Sequence, residues 1–296
     1  METAAPITLH EFRDLWIHTG TACNLSCPFC HEGSSPGDTR LQAIGAADVL
    51  PVLREATAAG VRRFIFTGGE PLILKGIQEL LVEALALRPV LVLTNGTAPW
   101  IRRSQQLAAL RASNNPLSFR VSLDAPDEVA HDAQRGLKNF RKAIEGLKLL
   151  HAAGFEVGIT RQVYPAENSA QVQQRFRQLL RKNGLPEDLS IVALPQLGAL
   201  DPAAGPPMAE RETLAGVNCA VRSRQAPLCA SGRMLVRRDG TARLTACALV
   251  DDDPAFDSPA DVESALATPI KPVHARCRLC LAGDVNYVGA DPPRGV

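Results

Sequence analysis

Six short runs rich in β-branched and aromatic residues, with longer stretches of helical apolar spacing between them, occupy the chain from Asp14 to about Leu200. Parallel strands need a crossover that a helix can supply, so this alternation predicts βα units and an α/β fold on a parallel sheet. The expected strands are Leu15–Thr19, Arg63–Thr67, Val90–Thr94, Ser118–Leu123, Glu156–Val163 and Leu189–Leu194. The expected helices are Ala46–Ala59, Ile77–Leu87, Trp100–Leu110, Leu137–Ala153 and Ala170–Lys182. Gly60, Gly154 and Gly184 stand where helix C-terminal caps belong. Pro51 falls inside the first helix and predicts a kink or a later start.

Directly after the first strand comes Cys23-x3-Cys27-x2-Cys30. Three thiolates this close can hold a metal together. An iron–sulfur cubane takes four Cys thiolates as a rule, so a compact set of three leaves one iron open to another ligand. Catalytic zinc also keeps an open position, but its ligand sets commonly include His and a general base stands nearby. His31 follows the last Cys too closely to reach back to the same metal. A disulfide would need an oxidising compartment, and buried small hydrophobes are the remaining reading.

The cysteine spacing, with Phe29 just before the third Cys, resembles the cluster loop of the radical S-adenosylmethionine (radical SAM) superfamily. The resemblance implies a partial (β/α)6, TIM-like barrel. It also implies that SAM chelates the open iron of a 4Fe–4S cluster and yields a 5′-deoxyadenosyl radical on reductive cleavage. Barrel chemistry collects at the C-terminal ends of the strands. After the second strand, Gly68-Gly69-Glu70-Pro71 is a tight turn in which glycines allow close backbone approach to a ligand and a carboxylate can receive an ammonium. It resembles the family motif that holds the SAM amino group. Asn95, after the third strand, has a family counterpart near the adenosine. Ser122 and Asp124 at the fourth strand could bond ribose hydroxyls or cap the strand end. Arg135, in His131-Asp132-Ala133-Gln134-Arg135-Gly136, resembles the arginine that pairs with the SAM carboxylate, a bidentate task suited to a guanidinium. Its plainer reading is a solvated helix charge. Thr160, Gln162 and Asn168 are candidates for adenine or substrate contacts.

Asp201-Pro202-Ala203-Ala204-Gly205-Pro206-Pro207 breaks regular structure and predicts a boundary between residues 1–200 and a second region, 209–296. Five cysteines lie beyond it: Cys219, Cys229, Cys247, Cys277 and Cys280. Between Cys229 and Cys247, two β-rich runs flank Asp239-Gly240, a hairpin turn signal. The arrangement resembles the twitch form of the SPASM extension, a small C-terminal appendage that binds an auxiliary 4Fe–4S cluster. That resemblance implies Cys229, Cys277 and Cys280 as ligands. Either Cys247 or Cys219 completes the set, and the other is left as a buried thiol or a hydrogen-atom donor. Cys247 follows Gly240 by more than the family hairpin has it.

A formal net charge of +1 offers no electrostatic footprint for nucleic acid. No apolar run is long enough to span a membrane. The start of the chain lacks the marks of a signal peptide, so the expected location is the cytoplasm, where eight cysteines read as metal ligands or reactive thiols. The resemblance then implies an enzyme with SAM and two 4Fe–4S clusters, one SAM-binding and one auxiliary. A flavodoxin- or ferredoxin-type reductant is expected as partner. The outcome expected first is epimerisation of a carbon in an aminoglycoside or sugar, with a Cys thiol returning hydrogen. Dehydrogenation of an aminocyclitol or sugar, and modification of a ribosomal peptide, are the alternatives. Peptide-modifying relatives commonly carry a leader-binding domain ahead of the barrel, and the first strand here begins near Asp14. Asp251-Asp252-Asp253 could face a polyamine substrate or form a solvated acidic loop. Outside enzymes, a redox-sensing iron–sulfur module would need the cysteines but not the strand-end residues.

Overall fold

The computed structural model describes residues 5–97, 107, 109–164, 167–194 and 226–282. Its sheet has nine strands in the order β6-β5-β4-β3-β2-β1-β7-β8-β9. The six expected strands are β1 (Asp14–His18), β2 (Arg63–Thr67), β3 (Val90–Thr94), β4 (Leu117–Ser122), β5 (Glu156–Gln162) and β6 (Ser190–Leu194). Consecutive members pair in parallel, as right-handed βα crossovers allow.

Helices α1 (Ala46–Ala58), α2 (Ile77–Leu87), α4 (Asn139–Ala152) and α5 (Ser169–Lys182) match expectation, and α3 (Glu128–Arg135) is an addition just before α4. Asp127 caps α3 by accepting from the Ala130 N–H at 2.9 Å, the Asx signature of a helix start. α1 runs unbroken through Pro51, which sits on an exposed position, so the expected late start is not seen. The expected helix Trp100–Leu110 and the segment Asp201–Pro207 fall largely or wholly outside the described residues.

The C-terminal region does not hang off the barrel. β7 (Gly232–Arg238) pairs in parallel with β1, Asp14 opposite Gly232. β8 (Thr241–Thr245) and β9 (Asp257–Pro259) extend the sheet antiparallel beyond it. The β7–β8 turn is Asp239-Gly240, both at positive φ (49° and 75°), as a two-residue hairpin of this twist requires. Helices α6 (Val262–Ala267) and α7 (Ala275–Ala282) follow.

Side chains alternate across each strand. Leu15, Ile17, Phe64, Phe66, Val90 and Val92 face the helical layer and form one core with α1 and α2. The residues between them, Trp16, Ile65 and Leu91, face the opposite side and pack with Met234, Val236, Cys229 and Cys247. The same face of β4 and β5 carries Arg120, Ser122, Thr160 and Gln162, which line a cavity. The sheet thus separates a greasy outer layer from an inner face of polar and cysteine side chains.

Candidate active site

Past β1 the chain turns back over the ends of β2 and β3. The main chain of Gly69 donates to the Gly20 carbonyl (2.9 Å) and that of Glu70 to the Ala22 carbonyl (3.1 Å), stitching the cysteine loop to the β2 end. A Cβ on Gly69 would lie 2.2 Å from the Ala22 oxygen, and one on Gly68 2.7 Å from the Thr19 hydroxyl. The two glycines therefore permit the close approach of the β1 end and the cysteine loop, and both also line the cavity that the three cysteines share.

Glu70 is fully buried, and its carboxylate accepts from Leu72 N–H (3.1 Å), the Thr94 hydroxyl (2.7 Å) and Asn95 N–H (2.7 Å). Burial raises its pKa, and these three donors oppose the rise. A carboxylate has about four lone-pair sites, so the three donors leave capacity for one more. Asn95 in turn donates to Asn24 Oδ1 at 2.9 Å, tying the β3 end to the residue after Cys23.

Cys23, Cys27 and Cys30 line one cavity with Gly68, Gly69, Glu70, Asn95, Ser122, Asp124 and Arg135. Thr160 and Gln162 line it too, whereas Asn168 is exposed and caps α5 by accepting from Gln171 N–H (3.1 Å). Its expected contact role is thereby replaced by a local one. Arg135 is neither solvated nor alone. Its Nε and Nη2 bond the Asp124 carboxylate, and its guanidinium lies 5.2 Å from the Phe29 ring centroid, so the aromatic before the third Cys is a cation–π platform. Asp124, which also lines the cavity, thus orients Arg135.

Burial pushes the Cys23 thiol up to about 12 and raises Cys27 and Cys30; Arg135 counteracts at Cys27, and backbone N–H groups of Ser34 and Glu32 do so at Cys30. Thiols held this high ionise only when a cation replaces the proton, which is what metal ligation supplies. A second set lies behind the inner face. Cys229 is pushed up to about 12 by burial and by Cys280 and Cys277, Cys277 to about 11, and the buried Cys247 is raised well above its ordinary value by burial and by its neighbour Cys229, with Cys277 and Cys280 also nearby. Cys247 thus neighbours the three expected ligands, and Cys219 lies outside the described residues. None of the seven described cysteines is in a disulfide. Among the described residues neither set draws three sulfurs within 4.8 Å of one another.

Several site residues escaped sequence reasoning. His18, at the end of β1, is fully buried and its Nε2 meets Glu32 (3.2 Å) and Asp251 (3.4 Å). Glu32 would be raised by burial, but the neighbouring His18 and its hydrogen bond draw it down. Asp251 goes the other way, raised by burial and by Glu32. The acidic run is therefore neither a solvated loop nor open to a polyamine: Asp251 is buried, Asp252 pairs with Arg276 (3.2 Å) and Asp253 caps a 3-10 turn. The strand-end position of His18 and the place of Glu32 two residues after Cys30 were the signals at hand.

A family model for the Radical SAM superfamily matches residues 17–179. The sporulation killing factor maturation protein SkfB of Bacillus subtilis is 34% identical over 138 residues, 46% of this chain and 32% of that protein. The GTP 3′,8-cyclase of Mycolicibacterium smegmatis is 34% identical over 151 residues, 48% of this chain and 40% of that one. The chain thus spans well under half the length of these relatives. Among solved structures, Streptococcus suis SuiB aligns over 88% of this chain and 67% of its own at a TM-score of 0.62, with 14% identity, a likeness of fold. With more than half its length matched and the three-cysteine loop at the head of the match, the chain belongs to the radical SAM superfamily.

Proposed function

We propose that this chain carries two 4Fe–4S clusters and activates an unreactive C–H bond of its substrate. The single observation that carries the reading is the convergence of Cys23, Cys27 and Cys30 with Glu70, Asp124 and Arg135 on one cavity, backed by a second group of four thiols, two buried and two half-buried. When bound, SAM and its cluster supply a 5′-deoxyadenosyl radical. The protein's part is to bind, orient and exclude water. Glu70, with acceptor capacity remaining, takes the methionyl ammonium. Arg135, oriented by Asp124 and Phe29, presents Nη1 to the methionyl carboxylate. Ser122, Thr160 and Gln162 on the inner wall face adenosine or substrate. Cys229, Cys247, Cys277 and Cys280 hold the auxiliary cluster.

For the substrate class, we favour a peptide over the aminoglycoside or sugar expected from sequence. Two relatives over the barrel half support this through their names: SkfB, and the antilisterial bacteriocin subtilosin biosynthesis protein AlbA of Bacillus subtilis, 30% identical over 164 residues. Epimerisation is the second reading, and its hydrogen donor is Cys219, since the other four C-terminal thiols share one site. Anaerobically reconstituted protein should hold about eight irons and cleave SAM on reduction. Replacing Cys23, Cys27 and Cys30 together by Ala should leave about four irons and no cleavage, and retained cleavage would overturn the proposal. In heavy water an epimerase should place one solvent deuterium on product carbon, and Cys219→Ala should abolish that while both clusters remain.

A further inference from the structure

Three segments that carry cysteines meet at one side chain. Arg276 precedes Cys277 on α7 and is 4% exposed. Its Nη1 donates to the Leu249 carbonyl (3.1 Å), two residues after Cys247, and to Asp252 Oδ1 (3.2 Å). Its Nη2 donates to the His31 carbonyl (2.5 Å), the peptide next to Cys30. The first two contacts stay inside the C-terminal group of thiols. The third crosses to the other group.

A second tie runs along the same seam. The Gly20 N–H donates to His18 Nδ1 (3.2 Å), so the ring's hydrogen sits on Nε2, where it faces Glu32 of the cysteine loop and Asp251 of the C-terminal region. A hydrogen on Nε2 leaves no lone pair there for a metal; it is donated to Glu32, and the Asp251 carboxylate stands 3.4 Å from the same nitrogen, so the three residues form a strut. The Leu249 carbonyl held by this buried guanidinium is costly to release, because desolvated main-chain acceptors lose stability when a donor is withdrawn.

We propose that Arg276 is a positioning residue that couples the two cysteine sets, so that loading the C-terminal set stabilises the cluster held by Cys23, Cys27 and Cys30. This rests on the two-cluster reading above. A cluster on Cys247 and Cys277 fixes the Leu249 carbonyl and Arg276 relative to each other. The remaining arm of the guanidinium then holds the His31 peptide and with it Cys30. Linkage makes the effect mutual: an ordered Cys30 loop steadies α7 in return.

The test follows iron release to a ferrous chelator under anaerobic conditions. The SAM-induced change in the electron paramagnetic resonance signal identifies the cluster with the open iron. Wild type should start with about eight irons, and fewer than that would overturn the two-cluster reading beneath the proposal. Arg276→Gln should keep all seven described cysteines and the C-terminal iron, yet lose the SAM-responsive cluster about fivefold faster or more, the lower end of typical coupling. Cys277→Ala with Cys280→Ala should speed that loss similarly. Arg276→Lys, whose single ammonium cannot serve all three acceptors, should fall between. A wild-type release rate in Arg276→Gln would overturn the coupling. If that variant does not fold, a wild-type rate in Arg276→Lys would overturn it equally.

Discussion

Gly69 has the least room for a side chain among the described glycines. The Ala22 oxygen that a Cβ would strike belongs to the main chain, so no side chain can swing away. Gly69→Ala should cost at least ~2 kcal/mol in denaturant unfolding, the range of strain at an over-determined position, and should loosen the cysteine loop. Iron content after reconstitution, read beside stability, would show whether the loop is the part that fails. Arg135 is different in kind, because its partner Asp124 and platform Phe29 are not cysteines. Arg135→Ala should therefore keep the iron and lose SAM affinity by about tenfold or more, the scale of one charge-assisted contact. Binding measured on the reconstituted protein decides it, and unchanged affinity would mean the carboxylate is held elsewhere.

Among the elements, α3 shows a pH dependence. His131, fully buried on it, accepts from Asp124 N–H (3.3 Å) through Nδ1. Burial and then the Arg135 charge lower it from an ordinary 6.5 to about 4. The unfolded chain binds this proton first, so the contribution is whole above about pH 6.5 and is lost as pH falls toward 4. Stability should drop by up to about 3 kcal/mol across that window, and His131→Asn should flatten the slope. Melting curves at stepped pH would check both. The elements were also the most legible level in the sequence. Arg63–Thr67 and Val90–Thr94 were readable to the residue because a short β-branched run closed by a turn has few other uses. α3 was not, since its eight residues include only Val129 and two alanines as apolar positions, and Val129 points to solvent. The cysteine spacing and strand-end polar residues located the cavity. What Arg135 and Gly69 touch there depended on folding, because Asp124 and Ala22 become their neighbours only once strand ends meet.

At the scale of the molecule, the boundary expected near residues 201–207 is crossed by the sheet itself. β1, the strand that launches the cysteine loop, is flanked on one side by β2 and on the other by β7. A chain ending at residue 200 would bare one edge of β1 together with Trp16, which is 2% exposed in the whole. Such a fragment should be insoluble or oligomeric, as an open, apolar strand edge recruits other chains. Size-exclusion chromatography of that fragment beside the full chain would check it; a soluble monomer that cleaves SAM would contradict the prediction. No described helix is long and apolar enough to cross a membrane.

The pairing of Asp14 with Gly232 also fixes an order of events. β1 leaves the ribosome well before β7 and waits for it before both its sides are covered. Contacts so far apart along the chain form late and slowly, and a barrel half that emerges without them carries a sticky margin meanwhile. Expression yield should therefore respond to slower translation or added chaperone more than equilibrium stability would suggest. The nascent chain is most vulnerable just before residues 232–238 appear.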